Sequence, residues 1–237
     1  MDRTWIPYCG VAPLPSEWLT RWNFDPLVIA ALLLAGLWAW RRGADRTSAS
    51  LGLACLALLF ISPLCALSSA LFGARVVHHV LLTAVAAPLL VRGLGLRSPG
   101  GVAYWAGAHA LLFWIWHAPG PYAFALSSDA AYWLMQASLL GSALGFWAAL
   151  RGTADSSAIG LLLIMMVQMG LLGALITFAT QPMYAPHWLS TQPWGFTPLE
   201  DQQVGGLIMW APASALYLGA ALLRGWRMLT PARALPA

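Results

Sequence analysis

Long apolar runs, each bounded by arginine, proline or acidic residues, dominate the 237-residue chain. A helix that crosses the hydrocarbon core of a membrane needs about 20 mostly apolar residues, because that core is about 30 Å thick. The runs therefore predict an all-α fold, in which residues 1–237 form a single transmembrane domain, a polytopic bundle of about seven helices. The predicted spans are 24–40, 50–71, 76–91, 102–116, 130–150, 158–180 and 203–223, and the predicted outer segments are 1–22 and 181–202.

Composition supports a protein that is surrounded by a lipid bilayer. Apolar residues make up 60% of the chain and charged residues only 8%, whereas about a quarter of the residues in a soluble domain are charged. All basic residues are arginines, and they are spread along the chain rather than gathered into a run, so nucleic-acid binding is not predicted. The sequence contains no nucleophile elbow, phosphate-cradling glycine loop or paired carboxylates, so we do not expect an enzyme.

Arginine placement predicts the orientation, since cytoplasmic loops collect positive charge. With the N-terminus outside and the C-terminus inside, only Arg3, Arg21 and Arg75 remain on the outer side. The arginines that then fall on the cytoplasmic side are Arg41, Arg42, Arg46, Arg92, Arg97, Arg151, Arg224, Arg227 and Arg233.

Small residues and cysteines add two further expectations. Gly141 and Gly145 form a GxxxG motif on the fifth span. Packing within the bundle is the favoured interpretation of this motif, and a homodimer interface is the alternative. Cys9, Cys55 and Cys65 are too few and too scattered for a disulfide framework, and no CxxC pair is present, so the redox compartment stays open.

Histidines collect toward one end of the predicted bundle. His78 and His79 open the third span, His117 ends the fourth, and His187 lies in the last outer segment. Imidazole nitrogen and thioether sulfur are ligands that suit copper, so a Cu(I) site on the outer face is predicted. Spacing alone does not show that the ligands converge, and a histidine at a helix end is more often an interfacial hydrogen-bonding residue. The candidate ligands are His78, His79, His117, Met183, His187 and Met209.

Three further polar residues change the expected geometry of this site. Adjacent side chains on a helix point about 100° apart, so only one of His78 and His79 is expected to face it. His109 lies inside the fourth span, where a polar ring normally faces the bundle interior or a cavity. Arg75 and Asp201 are outer charges near the cluster in sequence, and either an ion pair between them or separate hydration fits the pattern.

Several strings resemble the CtaG-type family of multipass cytochrome c oxidase assembly factors. Residues 201–212 read DQQVGGLIMWAP and residues 114–119 read WIWHAP, followed by Tyr122. Supporting strings are WNFDP at 22–26 and HVLL at 79–82. The resemblance covers nearly the whole chain in the right order, and it makes Asp201 and Gln202 family-motif residues.

The resemblance implies a multi-pass protein of the bacterial inner membrane that delivers copper to a subunit of a haem-copper oxidase, with a periplasmic copper chaperone as a candidate donor. His79 and His117 match histidine positions of the family, and Met209 lies in its seventh-span string. Relatives tend to carry histidine where this chain has Arg75, Tyr132 and Gln136. A metal-free scaffold for an oxidase intermediate and a b-type haem protein therefore stay open as alternatives.

Overall fold

The computed structural model describes residues 5, 7–42 and 45–230; 77% of the structure is helical, and this part of the chain contains no strand. The all-α prediction is confirmed. Arg3 and Arg233, two of the arginines used to predict orientation, lie outside the described residues, as do the side chain of Arg42 and residues 1–4 and 6 of the predicted outer segment.

Nine helices can be followed through the described residues. Two of them contain a π-helical turn, Leu81–Ala86 in α4 and Met209–Ala213 in α9. Short 3-10 turns at Trp18–Thr20, Ala185–His187 and Gln192–Trp194 lie in the connecting segments. The helices are α1 Pro26–Arg42, α2 Arg46–Phe60, α3 Pro63–Ala70, α4 Phe72–Gly93, α5 Val102–His117, α6 Pro119–Ala125, α7 Asp129–Arg151, α8 Asp155–Thr177 and α9 Pro198–Leu229.

Four of these helices, α4, α7, α8 and α9, are long and apolar enough to cross a membrane. Helices α2 and α3 meet at an angle of 48° and together form a fifth candidate span, which is bent because Ser62 and Pro63 interrupt the predicted span 50–71. The two remaining predicted spans correspond to α1, with 17 residues, and α5, with 16 residues. Length and composition therefore support four or five of the seven predicted spans, and they identify a membrane protein.

The bundle has two chemically different ends. We call the end where α4, α7 and α9 begin and α5 terminates the histidine end, and the end where α4, α7 and α9 terminate the arginine end. At the arginine end, Arg92 Nε lies 2.7 Å from a carboxylate oxygen of Asp45, and Arg224 Nη1 lies 2.6 Å from one of Asp155. The histidine end holds buried imidazoles, tyrosines and amides instead.

Glycines allow two close approaches between helices. At Gly206 on α9, an added Cβ would lie 2.8 Å from the carbonyl oxygen of Gly173 on α8, so these backbones are almost in contact. A Cβ at Gly145 would lie 2.3 Å from the ring of Trp105, whereas one at Gly141 would meet nothing within 4 Å. Gly145 therefore packs within the bundle, as the favoured interpretation of the GxxxG motif expects, and the homodimer stays a prediction.

A disulfide bond attaches the N-terminal segment to the histidine end. Cys9 pairs with Cys65 on α3, with their Cα atoms 5.3 Å apart. The ring of Tyr8 stacks on Tyr132 with centroids 5.1 Å apart. The sequence did not predict this pair, because residues 56 positions apart meet only after the bundle has formed.

Candidate metal site

Two of the sequence-predicted ligands face each other inside the histidine end. His79 on α4 is fully buried and His117, the last residue of α5, is 2% exposed. Nδ1 of His79 lies 3.4 Å from Nε2 of His117, and the two rings are nearly perpendicular. The structure therefore brings the imidazoles of two separate helices into direct contact, which spacing alone left open.

The hydrogen-bond partners determine which ring nitrogens carry protons. His117 Nδ1 lies 2.7 Å from the carbonyl oxygen of Phe113, so it carries the proton and Nε2 is left as an acceptor. The side-chain nitrogen of Gln136 on α7 lies 3.4 Å from Nε2 of His79. If that amide donates, His79 is protonated on Nδ1 and donates to His117. The result is a chain of donors that runs from Gln136 through both imidazoles to the backbone of α5.

Gln136 also provides a way to change the tautomer of His79. Its side-chain oxygen is buried and has no hydrogen-bond partner. Rotation of the amide by a half-turn would let this oxygen accept a proton from Nε2 of His79, so the nitrogens that face each other would both present lone pairs. The two facing nitrogens are 3.4 Å apart. For an ion about 2.0 Å from each of them, the nitrogen–ion–nitrogen angle would be roughly 115°, which is within the range of trigonal and tetrahedral coordination.

Asp201 positions the helix that carries His79. Its two carboxylate oxygens accept hydrogen bonds from the backbone N–H groups of Phe72, at 2.6 Å, and Gly73, at 3.1 Å. These groups have no partner within α4, because the first turn of a helix leaves its N–H groups unpaired. This cap, supplied by α9, lets α4 begin at Phe72, four residues before the predicted start at 76. Asp201 is thus a positioning residue for the site.

The end of α5 is held by the segment that precedes α9. Pro119, two residues beyond His117, begins α6, and the backbone turns away from helical geometry at Ala118. The hydroxyl of Tyr184 donates a 2.7 Å hydrogen bond to the carbonyl oxygen of His117. That carbonyl would otherwise be an unpaired group at the helix end. The outer segment 181–202 therefore fixes the backbone at one of the two imidazoles.

Arg75 lies one helical turn before His79 and is the most unusual residue of the histidine end. It is fully buried, and its three guanidinium nitrogens form no hydrogen bond of ordinary geometry among the described residues, although the hydroxyls of Tyr122 and Tyr132 lie close enough to interact with it. Its guanidinium carbon lies 5.2 Å from the ring centroid of Tyr132, so it also makes a cation–π contact. No ion pair with Asp201 is formed, because that carboxylate is engaged by α4 backbone. Neither the ion pair nor separate hydration is therefore found, because both side chains are buried.

The three positions at which the resemblance implies histidine belong to the same cluster. Arg75 contacts Tyr132, and Gln136 contacts His79. In the described part of the chain, no group of three or more histidine, cysteine, aspartate or glutamate side chains is arranged to hold a metal ion. The cluster thus offers two facing imidazoles rather than a larger set.

The other histidines make different contacts. Nε2 of His78 lies 3.1 Å from the carbonyl oxygen of Leu59, so this ring faces α2, as the 100° rule predicts. Nδ1 of His109 lies 2.9 Å from the hydroxyl of Ser142 on α7, which confirms that this ring faces the bundle interior.

His187 belongs to a neighbouring polar cluster. Its Nε2 lies 2.6 Å from the hydroxyl of Tyr122, and its Nδ1 lies 3.2 Å from the carbonyl oxygen of Ala70. Burial lowers the pKa of His187 to about 3, and the positive charge of Arg75 acts in the same direction. The ring is therefore neutral, and both of its nitrogens are already engaged. Its role as a ligand stays a prediction.

The two methionines and Gln202 complete the predicted set. The side-chain oxygen of Gln202 accepts a 2.7 Å hydrogen bond from the backbone N–H of Met183, and its nitrogen lies 3.3 Å from the carbonyl oxygen of Ile176. Gln202 therefore connects the last outer segment to α8 and α9. Met209 is fully buried beside Gly173, where α8 and α9 cross. Met209 belongs to the hydrophobic core and Met183 packs against it, and their role as ligands also stays a prediction.

Gln136 is the site residue that sequence reasoning undervalued. From the sequence, Gln136 is notable only as a position where the family resemblance implies a histidine. A buried amide on a predicted span, however, is itself a signal, because polar side chains within spans normally face the interior or a cavity.

These features define a class: a helical membrane protein with a buried pair of imidazoles at one end. The family model of the cytochrome c oxidase caa3 assembly factor (Caa3_CtaG) matches residues 103–230, which is more than half of the chain. The chain belongs to this family of cytochrome c oxidase assembly factors, as its sequence motifs indicate. No curated protein and no solved structure matches it significantly.

Proposed function

We propose that this protein carries copper during the assembly of a haem-copper cytochrome c oxidase. In this proposal one Cu(I) ion is the cargo, bound between Nδ1 of His79 and Nε2 of His117 and passed on to an oxidase subunit. The observation that carries the proposal is the direct approach of these two buried nitrogens, 3.4 Å apart, from two different helices.

The chemistry of the pair favours Cu(I) over harder ions. Imidazole nitrogen suits copper, whereas Mg²⁺ and Ca²⁺ require several oxygen ligands. Two protein ligands also leave the ion open to a third from another molecule, as transfer to an oxidase subunit requires. Binding needs a change of tautomer at His79, with rotation of the Gln136 amide, and it releases no proton from the pair.

The proposed topology has seven crossings of the bacterial inner membrane, with the N-terminus outside and the C-terminus inside. Disulfides persist in oxidising compartments, so the Cys9–Cys65 bond supports an outer location for the histidine end. Paired arginines at the opposite end agree with the positive-inside rule. Helices α1 and α5 are short for a crossing, and a shorter span is accommodated by local thinning of the bilayer.

Copper titration of the purified protein tests the metal part of the proposal. Competition with a chromogenic Cu(I) chelator is expected to give one Cu(I) per chain. His79→Ala and His117→Ala are each expected to weaken binding at least 100-fold. His109→Ala is the matched control, since it removes a buried imidazole that contacts Ser142 instead. A parent protein that retains no copper, or equal losses in all three variants, would contradict the proposal.

A metal-free scaffold is the second candidate function. The observation that favours it is the set of Arg75, Tyr132 and Gln136 at positions where the resemblance implies histidine, together with the lack of a three-ligand group in the described residues. A deletion strain that carries the double variant His79→Ala/His117→Ala distinguishes the two functions. Restoration of oxidase with intact copper-site spectra supports the scaffold, whereas assembled oxidase that lacks copper supports the carrier.

The haem alternative receives the least support from the geometry. A haem held by two imidazoles needs its macrocycle between them, but the nitrogens of His79 and His117 are in contact. We expect no Soret band from the purified protein.

A further inference from the structure

Four arginines line one pocket at the arginine end. The pocket has a volume of about 630 Å³, and Arg92, Arg151, Arg224 and Arg227 contribute to its wall together with Asp45 and Trp147. We propose that this pocket binds a phosphate group, supplied by the head group of an anionic lipid. The proposal is independent of copper binding.

The charge of the pocket exceeds what the nearby carboxylates neutralise. Arg92 pairs with Asp45, and Arg224 pairs with Asp155. Four guanidinium groups and two carboxylates leave two positive charges in excess. A phosphodiester or phosphomonoester carries the complementary charge.

Free guanidinium donors remain after the internal contacts are made. Arg227 is exposed and forms no hydrogen bond or ion pair among the described residues. Arg151 uses one nitrogen, Nη1, to donate a 2.9 Å hydrogen bond to the carbonyl oxygen of Val91. The planar fork of a guanidinium donates two parallel hydrogen bonds to a phosphate, so these arginines suit a phosphate better than a monatomic anion.

The remaining wall of the pocket fits a lipid rather than a small soluble anion. Pro88, Val91 and Trp147 provide apolar surface beside the arginines. The indole nitrogen of Trp147 donates to the carbonyl oxygen of Thr83, which fixes the ring. The pocket also lies where α4, α7 and α9 end, so its arginines are at the level of lipid head groups in the proposed topology. Basic pockets between helices at this level are typical sites for anionic lipids.

The positive-inside rule accounts for arginines at this end but not for their convergence on one pocket. Arg46 provides the comparison, since it is exposed at the same end, at the start of α2, and is not part of the pocket wall. If the overall positive charge of this end alone attracted anionic lipids, Arg46 would contribute to lipid binding as much as Arg227. In a specific site, only the arginines of the pocket would contribute.

Lipid binding to the full chain in a neutral detergent tests the proposal. Native mass spectrometry and melting temperature are recorded with phosphatidylglycerol, with phosphatidylcholine and with inorganic phosphate. We expect phosphatidylglycerol to bind and to raise the melting temperature. Arg227→Gln is expected to weaken its binding about fivefold, because an arginine contributes about 1 kcal/mol to such contacts, while Arg46→Gln changes it less than twofold. Arg227→Gln carries the test because, unlike Arg92→Gln, it breaks no internal ion pair.

The arms of the experiment distinguish the source of the phosphate. Equal stabilisation by inorganic phosphate and phosphatidylglycerol would identify a free phosphate as the ligand and retain the pocket as a phosphate site. Equal losses in Arg227→Gln and Arg46→Gln would overturn the proposal, and so would equal binding of phosphatidylcholine and phosphatidylglycerol.

Discussion

Arginines at the two ends of this bundle occupy opposite environments. Arg75 at the histidine end is completely buried and has no carboxylate partner among the described residues, where the hydroxyls of Tyr122 and Tyr132 interact with it instead. Arg92 and Arg224 at the arginine end are partly exposed, and each is paired with an aspartate. At the arginine end, water and carboxylates stabilise the positive charges. At the histidine end, Arg75 is excluded from bulk water and has no carboxylate partner among the described residues. A buried charge that no carboxylate neutralises lowers stability, so Arg75 marks the histidine end as the part of the molecule shaped by something other than stability.

Two aspartates show the same difference between the ends. Asp201 caps α4 from another helix and is 3% exposed. Asp45 caps its own helix, α2, through Ser48 and also pairs with Arg92. Bonds from Ser48 and Arg92 lower the pKa of Asp45 to about 2. Polar groups at both ends connect helices, but those at the histidine end are buried, whereas those at the arginine end are in contact with water.

The largest expected effect comes from the covalent bond at the histidine end. Cys65→Ser removes a bond that closes a 56-residue separation, and loop-closure entropy predicts a loss of about 4 kcal/mol in the free energy of unfolding. Denaturation in mixed detergent micelles measures the loss. Cys55→Ser, which removes the free and half-buried cysteine of α2, is the control and should change stability far less. Equal effects would show that the bond does not stabilise this end.

Arg75→Met should stabilise the protein, the reverse of what substitution of an arginine usually does. Replacement of a buried charge that no carboxylate neutralises by an apolar side chain of similar length is expected to raise the free energy of unfolding by about 2–3 kcal/mol. Arg92→Met at the arginine end breaks an ion pair that is partly exposed and should be neutral or slightly destabilising. Thermal denaturation of both variants measures the contrast. If Arg75→Met destabilises the protein, the interactions of this guanidinium with Tyr122 and Tyr132 outweigh the cost of burying its charge.

Asp201→Asn should destabilise the protein by about 2 kcal/mol, because one of two buried backbone N–H groups at the start of α4 loses its charged acceptor. Asp45→Asn, the matched change at the other end, should have a much smaller effect, since water reaches that carboxylate. Melting temperatures at pH 7 compare the two variants. Effects of the same size would remove the distinction between the ends.

Gln136→Leu is expected to weaken Cu(I) binding about tenfold without unfolding the site. After rotation, the amide oxygen of Gln136 would accept a hydrogen bond from Nε2 of His79 and hold the tautomer that binds copper, and loss of such a supporting hydrogen bond typically lowers metal affinity 10–100-fold. Gln168→Leu is the control, because that amide contacts Trp114 on α5 and not the imidazole pair. The chelator competition described above gives both affinities. An unchanged affinity in Gln136→Leu would exclude the amide from the binding step.

Much of the fold follows from the sequence because apolar run length is a strong signal. The runs 130–150 and 158–180 correspond closely to Asp129–Arg151 and Asp155–Thr177. The third span was placed four residues too late, because its true start depends on Asp201, 129 positions away from Phe72. The sharp bend at Ser62 and Pro63 divides a run that composition alone reads as one helix.

The candidate site was predicted only in part, for a related reason. Histidine content and family strings indicated His79 and His117, but their contact depends on how α4 and α5 pack. Helical spacing correctly separated His78 from His79. Neither the disulfide nor the burial of Arg75 was predicted, since both depend on tertiary contacts that leave no periodic trace in the sequence.

The most direct test of the copper account is X-ray absorption at the copper edge of the protein loaded with one equivalent of Cu(I). The account predicts two imidazole nitrogens at about 2.0 Å in the first shell, and the loss of one of them in His117→Ala. A first shell made only of sulfur, or a spectrum that His117→Ala leaves unchanged, would contradict it.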